Sequence, residues 1–267
     1  MESSRLKNII ILILALVNLC LLGLLVTRII TGRAAQAEAR AQMVELFAAE
    51  GVSLDEDQIP DDTPPAGLTL IRDAGEERKL AEFLLGDALI AADDGGGGIR
   101  SFQSSRGSAV FRADGSFDAV LSDTGDEARE LCRAFCRAFH YTDLTFSLEG
   151  TSGTAAAVQT HEGAPVVNCA VTFSIEEGTV KSVSGTHLPR EAEPAAGSGA
   201  LSALSALNAF LGAVREGAVV TAVTDLYLCY ELQSTTATPM ALVPAWCVVT
   251  DTAEYYVNCY TGAVTAA

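Results

Sequence analysis

The chain has 267 residues and a formal net charge of −17, with 34 acidic against 17 basic side chains. The first 40 residues hold five basic and two acidic side chains, so the remainder carries −20. A body this acidic repels phosphate backbones and anionic lipid, which excludes nucleic acid as a partner, and its roughly 200 residues suffice for one or two packed cores.

In chain order the first feature is an apolar run, residues 9–26, IIILILALVNLCLLGLLV, behind Arg5 and Lys7 and ahead of Arg28 and Arg33. As a helix it spans roughly 27 Å, near the hydrocarbon thickness of a bilayer. Ala35, Gln36 and Ala37 resemble a signal-peptidase site, but the run exceeds a typical h-region and two arginines intervene. The expectation is an uncleaved single-pass anchor over residues 9–30, with residues 1–8 as its tail. Flanking charge is nearly balanced, so it does not set orientation. Asn18 is a polar amide amid apolar residues. Interhelical hydrogen bonds in membranes average about 0.6 kcal/mol, which makes Asn18 a candidate partner contact. A bond to its own helix backbone or to water is the other reading. Gly23 is a second candidate, although it lies five residues on rather than the four of small-residue packing.

Residues 31–66 read as a juxtamembrane helix ending at Gly51, then an acidic, proline-bearing linker. Residues 67–124 follow as a first α+β module. It has a strand at 68–72, a helix at 76–85, and strands at 99–103, 108–112 and 117–122. Asp114 and Gly115 supply a hairpin turn. The glycine run at 95–98 reads as a hairpin loop rather than an ion site.

The second module, residues 125–190, opens with the clearest helix, 126–141, capped by Thr124 or Asp126. Leu131, Phe135, Ala138 and Phe139 form its apolar stripe. Arg129, Arg133 and Arg137 line another face, where local ion pairing is expected. Strands at 144–150, 155–160, 166–175 and 180–187 complete the module, and residues 191–199 read as a linker. The third module, 200–267, has a helix at 202–214 and strands at 219–233, 241–250 and 254–260. Helix-then-strands recurs, and Val167, Asn168 and Cys169 are echoed by Val257, Asn258 and Cys259. The expected fold class is therefore α+β: a single N-terminal transmembrane helix, then two or three antiparallel sheets, each crossed by a helix.

The chemistry-bearing residues give little purchase for catalysis. His140, His161 and His187 form no ligand-spaced pair, so no metal is expected. The seven cysteines contain no C-x-x-C and read as small buried hydrophobes, with a disulfide among the strand cysteines left open. No G-x-S-x-G is present. Neither a catalytic residue nor a cofactor is assigned. Trp246, the one tryptophan, is either core or an exposed partner anchor.

Three stretches together resemble a known family. They are the basic tail and Ile/Leu span with Asn18, residues 163–189 (GAPVVNCAVTFSIEEGTVKSVSGTHLP), and residues 242–264 (LVPAWCVVTDTAEYYVNCYTGAV). Their order is similar to the YycI/YycH family of two-component regulatory proteins, closer to YycI. The last stretch also resembles PepSY-type modules. The resemblance implies a non-enzymatic protein in the cell membrane of Gram-positive bacteria, with a cytoplasmic N-terminus and an extracytoplasmic body. It implies a sensor histidine kinase governing cell-wall metabolism as partner, with a sister YycH-type protein as a second. A tethered PepSY-like binding or protease-inhibitory module is the alternative.

Overall fold

The computed structural model describes residues 2–93, 98–122, 127–195, 199–235 and 238–266, with side chains of the first helix described from residue 16 onward except 23, 25, 26, 28–30, 32 and 33. The glycine run at 95–97 and the proposed caps Thr124 and Asp126 lie outside these residues.

Helix α1 runs unbroken over Glu2–Ala49, roughly 72 Å of rod at 1.5 Å per residue. It stops where the sequence reading placed the stop. Gly51 is left-handed (φ 77°). Gly51 N–H donates to the Ala48 carbonyl and Val52 N–H to that of Phe47, both at 3.0 Å. This pair of reversed bonds satisfies the last carbonyls of the helix. Among the described residues no helix is long and apolar enough to cross a membrane. The expected span over residues 9–30 is thus not supported, and much of that stretch lies outside the described side chains.

After a 3-10 turn at Glu56–Gln58 come β1 (Leu68–Leu70), α2 (Ala74–Leu85), β2 (Ile90–Asp93), β3 (Arg100–Ser104), β4 (Gly107–Phe111) and β5 (Ser116–Leu121). Then follow α3 (Ala128–Phe139), β6 (Tyr141–Glu149), β7 (Ser152–His161), β8 (Ala164–Glu176) and β9 (Thr179–Thr186). The chain closes with β10 (Ala192–Pro194), α4 (Ala203–Arg215), β11 (Val223–Thr235), β12 (Thr238–Thr250), β13 (Glu254–Asn258) and β14 (Val264–Ala266). Each of α2, α3 and α4 leads a four-stranded antiparallel meander: β2–β5, β6–β9 and β11–β14.

The first two helix-led units do not bury separate cores. β5 pairs antiparallel with β9, and α2 and α3 share one apolar cluster on the joined sheet. Phe135 sits at its centre, with Phe83, Phe117, Phe139, Tyr141 and Phe173 within 4.8–6.4 Å between ring centroids. Alternate residues of β5 (Phe117, Ala119, Leu121) and β8 (Val171, Phe173, Ile175) point inward, the period of a sheet with one buried face.

The third unit has its own core. α4 packs Leu207, Phe210 and Leu211 on Trp246, Val248 and Val257, and the foot of α1 joins through Met43 and Phe47. Phe47 stacks on Phe210 at 6.2 Å. β1 and β10 extend this unit's sheet, β1 pairing with both β12 and β10. Pro244 lies within β12 without breaking the ladder. Its carbonyl accepts from Cys259 N–H, so the side lacking a donor faces the gap where β12 changes partner from β1 to β13.

Units two and three meet at a narrow seam. β8 and β11 run parallel and pair at Val166 and Tyr230. Beyond that pair the Asn168 amide takes over as a peptide surrogate. Its Nδ2 donates to the Leu232 carbonyl and its Oδ1 accepts from Leu232 N–H, both at 2.7 Å.

Candidate functional site

The sequence candidates separate in space. Trp246 is fully buried and its Nε1 donates to the Leu201 carbonyl at 2.9 Å. It pins the entry of α4 and offers no surface, which removes it as a partner anchor. Asn18 is exposed on α1, and Gly23 lies in the same helix with its surroundings outside the described residues. Around Asn18, Leu16, Val17, Leu19, Leu21, Leu22 and Leu24 are 49–70 % exposed. At roughly 100° per residue these positions circle the helix, so no side of it is polar apart from Asn18 and Thr27.

The Val-Asn-Cys echo is not a structural equivalence. Asn168 bridges two strands, whereas Asn258 Oδ1 accepts from Tyr260 and Thr261 N–H at 2.9 and 3.0 Å and shapes a turn. The α3 arginines are not ion-paired among the described residues. Arg129 lies over the Phe146 ring at 4.7 Å, and Arg133 and Arg137 are exposed.

A polar junction not apparent from sequence spacing forms where β9 leaves the sheet. His187 N–H donates to the Gly115 carbonyl at 3.0 Å, Leu188 N–H to Gln159 Oε1 at 2.8 Å and Arg190 N–H to Glu76 Oε2 at 2.9 Å. Residues 187–190 therefore stitch the β4–β5 turn, β7 and α2 together. Gly115 is required here: its φ is 84°, and an added Cβ would stand 2.8 Å from Met240 Sδ.

All three histidines approach this segment. His140 ends α3 in a left-handed conformation (φ 60°), and Arg190 Nη2 lies 3.0 Å from His140 Nε2. Arginine only donates, so this contact has Nε2 as the acceptor. His161 meets the edge of Tyr230 and lines a cleft with His140 and Arg190. His187 is 9 % exposed and packs edge-on against Phe139. Burial first, then the Arg190 and His140 charges, push its pKa down from 6.5 to about 4.

The junction lacks an activated nucleophile among the described residues. Cys169 is buried, and its one S–H lies within reach of two acceptors, Gln159 Oε1 and the Thr186 carbonyl, each 3.3 Å from Sγ. Burial pushes its thiol up, away from the thiolate that reacts. Burial likewise pushes Cys132 to about 12 and Cys136 to about 11. All seven cysteines are free, and only Cys20 is exposed. Among the described residues no three His, Cys, Asp or Glu side chains gather as metal ligands.

This arrangement defines a class, an α+β protein of helix-led, four-stranded antiparallel units on a helical rod. No family model and no curated protein matches the chain. Among solved structures it is similar to an uncharacterized protein from Eubacterium rectale, at 11 % identity and TM-score 0.42, covering 76 % of this chain and 86 % of that one. It is also similar to the C-terminal domain of Bacillus megaterium YpeB, at 9 % identity and TM-score 0.36, covering 74 % and 98 %. Likenesses at this level carry no argument about function.

Proposed function

We propose that the chain is a membrane-anchored, extracytoplasmic accessory protein that regulates a cell-wall-related sensor histidine kinase by binding, through α1 and through its folded body. The observation that carries the reading is the helix at Leu16–Leu24. It is apolar around its circumference except at Asn18, no described residue covers it, and it continues without a break into the helix foot that packs on α4. Apolar surface that encircles a helix calls for lipid or for other helices around it. The kinase, and a sister YycH-type protein beside it, come from the family resemblance of the anchor and the C-terminal segment.

The test is co-purification from native membranes of tagged full-length chain, of Asn18→Leu, and of a chain with residues 9–30 replaced by an unrelated span. A histidine kinase recovered with the first, and reduced several-fold with both variants, supports the reading. Equal recovery with all three removes the anchor from recognition.

A second reading, a tethered PepSY-like binding or inhibitory module, is favoured by the third unit's sheet. Its face opposite α4 carries a cleft of about 330 Å³ lined by Glu231, Val243, Tyr256 and Asn258. That reading requires the body to hold its partner whatever span anchors it.

A further inference from the structure

The third unit's sheet has two faces, and α4 uses one of them. Leu226, Trp246, Val248 and Val257 point to α4 and join its core. The residues that alternate with these point the other way. Register sets them in rows across β11, β12 and β13: Tyr227 beside Cys247 beside Tyr256, and Asp225 beside Val249 beside Glu254. Further along, Glu231 pairs with Val243, where the cleft of about 330 Å³ opens. We propose that this face docks an extended, basic peptide segment of a partner protein. The inference rests on the binding-module reading above and names the chemistry of that module's partner.

Three observations carry it. First, the face is built from strands alone. Its apolar cluster draws on β8, β11, β12 and β13, and its cleft on β11–β14 and the turn before β14. Cys229, Ala245 and Cys247 are fully buried there, and half-buried Tyr227, Tyr256, Val167 and Val249 pack against them. What a partner meets is therefore aromatic and aliphatic surface. Second, the charge on this surface has one sign. Every lysine and arginine of the chain lies at or before Arg215, and no histidine follows His187. Asp225, Glu231 and Glu254 have no ion-pair partner among the described residues. A cation placed here gains from the tyrosine rings as well as from the carboxylates. Third, the rings are held in place. The Tyr256 hydroxyl donates to Glu254 Oε2 at 3.0 Å, and the Tyr260 hydroxyl accepts from Gly67 N–H at 2.7 Å. Side chains fixed beforehand lose little freedom when a partner binds.

The spacing of the acids selects a peptide over a small cation. Val243, beside Glu231, and Val249, beside Glu254, lie on one strand, roughly 20 Å apart at about 3.3 Å per residue. A single ammonium reaches one of these acids only. An extended segment reaches both, and sets its apolar side chains on the tyrosines and valines between them.

The test uses the purified full chain in non-ionic detergent and two fluorescent peptides of equal length. One alternates lysine with valine, the other glutamine with valine. The Lys peptide is expected to bind at least about tenfold tighter. Exposed ion pairs correspond to about two- to fivefold each, so the double variant Glu231→Gln/Glu254→Gln should weaken the Lys peptide about tenfold. Glu149→Gln/Glu216→Gln removes the same charge from exposed positions off this face and should leave binding unchanged. Gln233→Lys, at an exposed position lining the cleft, should block the Lys peptide. Equal binding of the two peptides overturns the proposal. So does an equal loss in the two double variants, since a diffuse field would then explain the binding. If spermine binds with the Glu231 and Glu254 dependence while neither peptide does, the peptide assignment falls and a small polycation is the ligand. Failure of the binding-module reading shows elsewhere: the chain with residues 9–30 replaced would hold no partner in the co-purification. A partner kept both by that chain and by Glu231→Gln/Glu254→Gln leaves the module reading in place and overturns this one.

Discussion

Buried His187 makes the stability of the body depend on pH in a defined window. Its pKa in the folded chain is pushed down from 6.5 to about 4, chiefly by burial and then by the Arg190 and His140 charges. Between these values the unfolded chain takes up a proton that the folded chain refuses. Stability therefore rises with pH across the window: it is fully present above 6.5 and is lost as pH falls toward 4. Each tenfold in proton affinity is worth about 1.4 kcal/mol, so the whole window amounts to about 3 kcal/mol. Urea denaturation of the full chain at pH steps from 7.5 to 4 should give a sloping stability, and His187→Gln should flatten it. Asp114, whose carboxyl is held below its ordinary 3.8 mainly by the Ser116 hydroxyl, acts only below this window. Direct titration of the His187 ring by NMR separates the cause from any packing change in the variant. A ring titrating near 6.5, or identical slopes for both chains, refutes the reasoning.

Two further substitutions probe the architecture. Asn168→Ala removes both 2.7 Å bonds to Leu232, and at about 1 kcal/mol net for each bond it should cost about 2 kcal/mol in denaturant; an unchanged midpoint would mean the seam does not depend on the amide. Phe47→Ala empties a fully buried site against Phe210 and should cost about 3–5 kcal/mol, with early proteolysis between α1 and the body, and a loss below 1 kcal/mol would show that α1 is not anchored there.

The helices were legible because their signals are local. Gly51 ends α1, Ser202 caps α4, and the α3 stripe of Leu131 and Phe135 faces the core as its spacing requires. α3 ends two residues before the expected 141, since His140 has no sequence mark for its left-handed turn and Tyr141 already belongs to β6. Residues 192–194 read as linker by composition, yet they pair with β1. Short edge strands such as β2, β10 and β14 carry too few residues for an alternating pattern, and they form only because a neighbour presents free backbone groups. The junction was illegible for a different reason. Glu76, His140, His187 and Arg190 come from separate units and meet only through the β5–β9 pairing. The signal that could have pointed there is the His-Leu-Pro-Arg segment itself, where a proline ends a strand beside two titratable side chains. The expectation of separate sheets with a helix apiece also gave way at the first two units, because β5 pairs with β9 and Phe135 of α3 packs against Phe117 of β5 in one shared cluster.

The seams rank in strength, and the ranking says how a displacement of α1 would spread. α1 ends inside the core of the third unit through Met43 and Phe47, with Val52 of the following turn beside them. Between the first two units, β5 and β9 pair along Ser116–Val120 and share an aromatic core, so they move as one. Between the second and third, the ladder is the Val166–Tyr230 pair, extended by the Asn168 amide and a smaller apolar cluster around Leu70, Tyr230 and Leu242. A push or twist on α1 therefore moves α4 and β11–β14 first. It reaches the other two units through the β8–β11 seam, beside the histidines and Arg190. Along the same path, residues 187–190 join the end of β9 to α2 through the Arg190 N–H bond to Glu76, while Leu188 packs into the seam cluster.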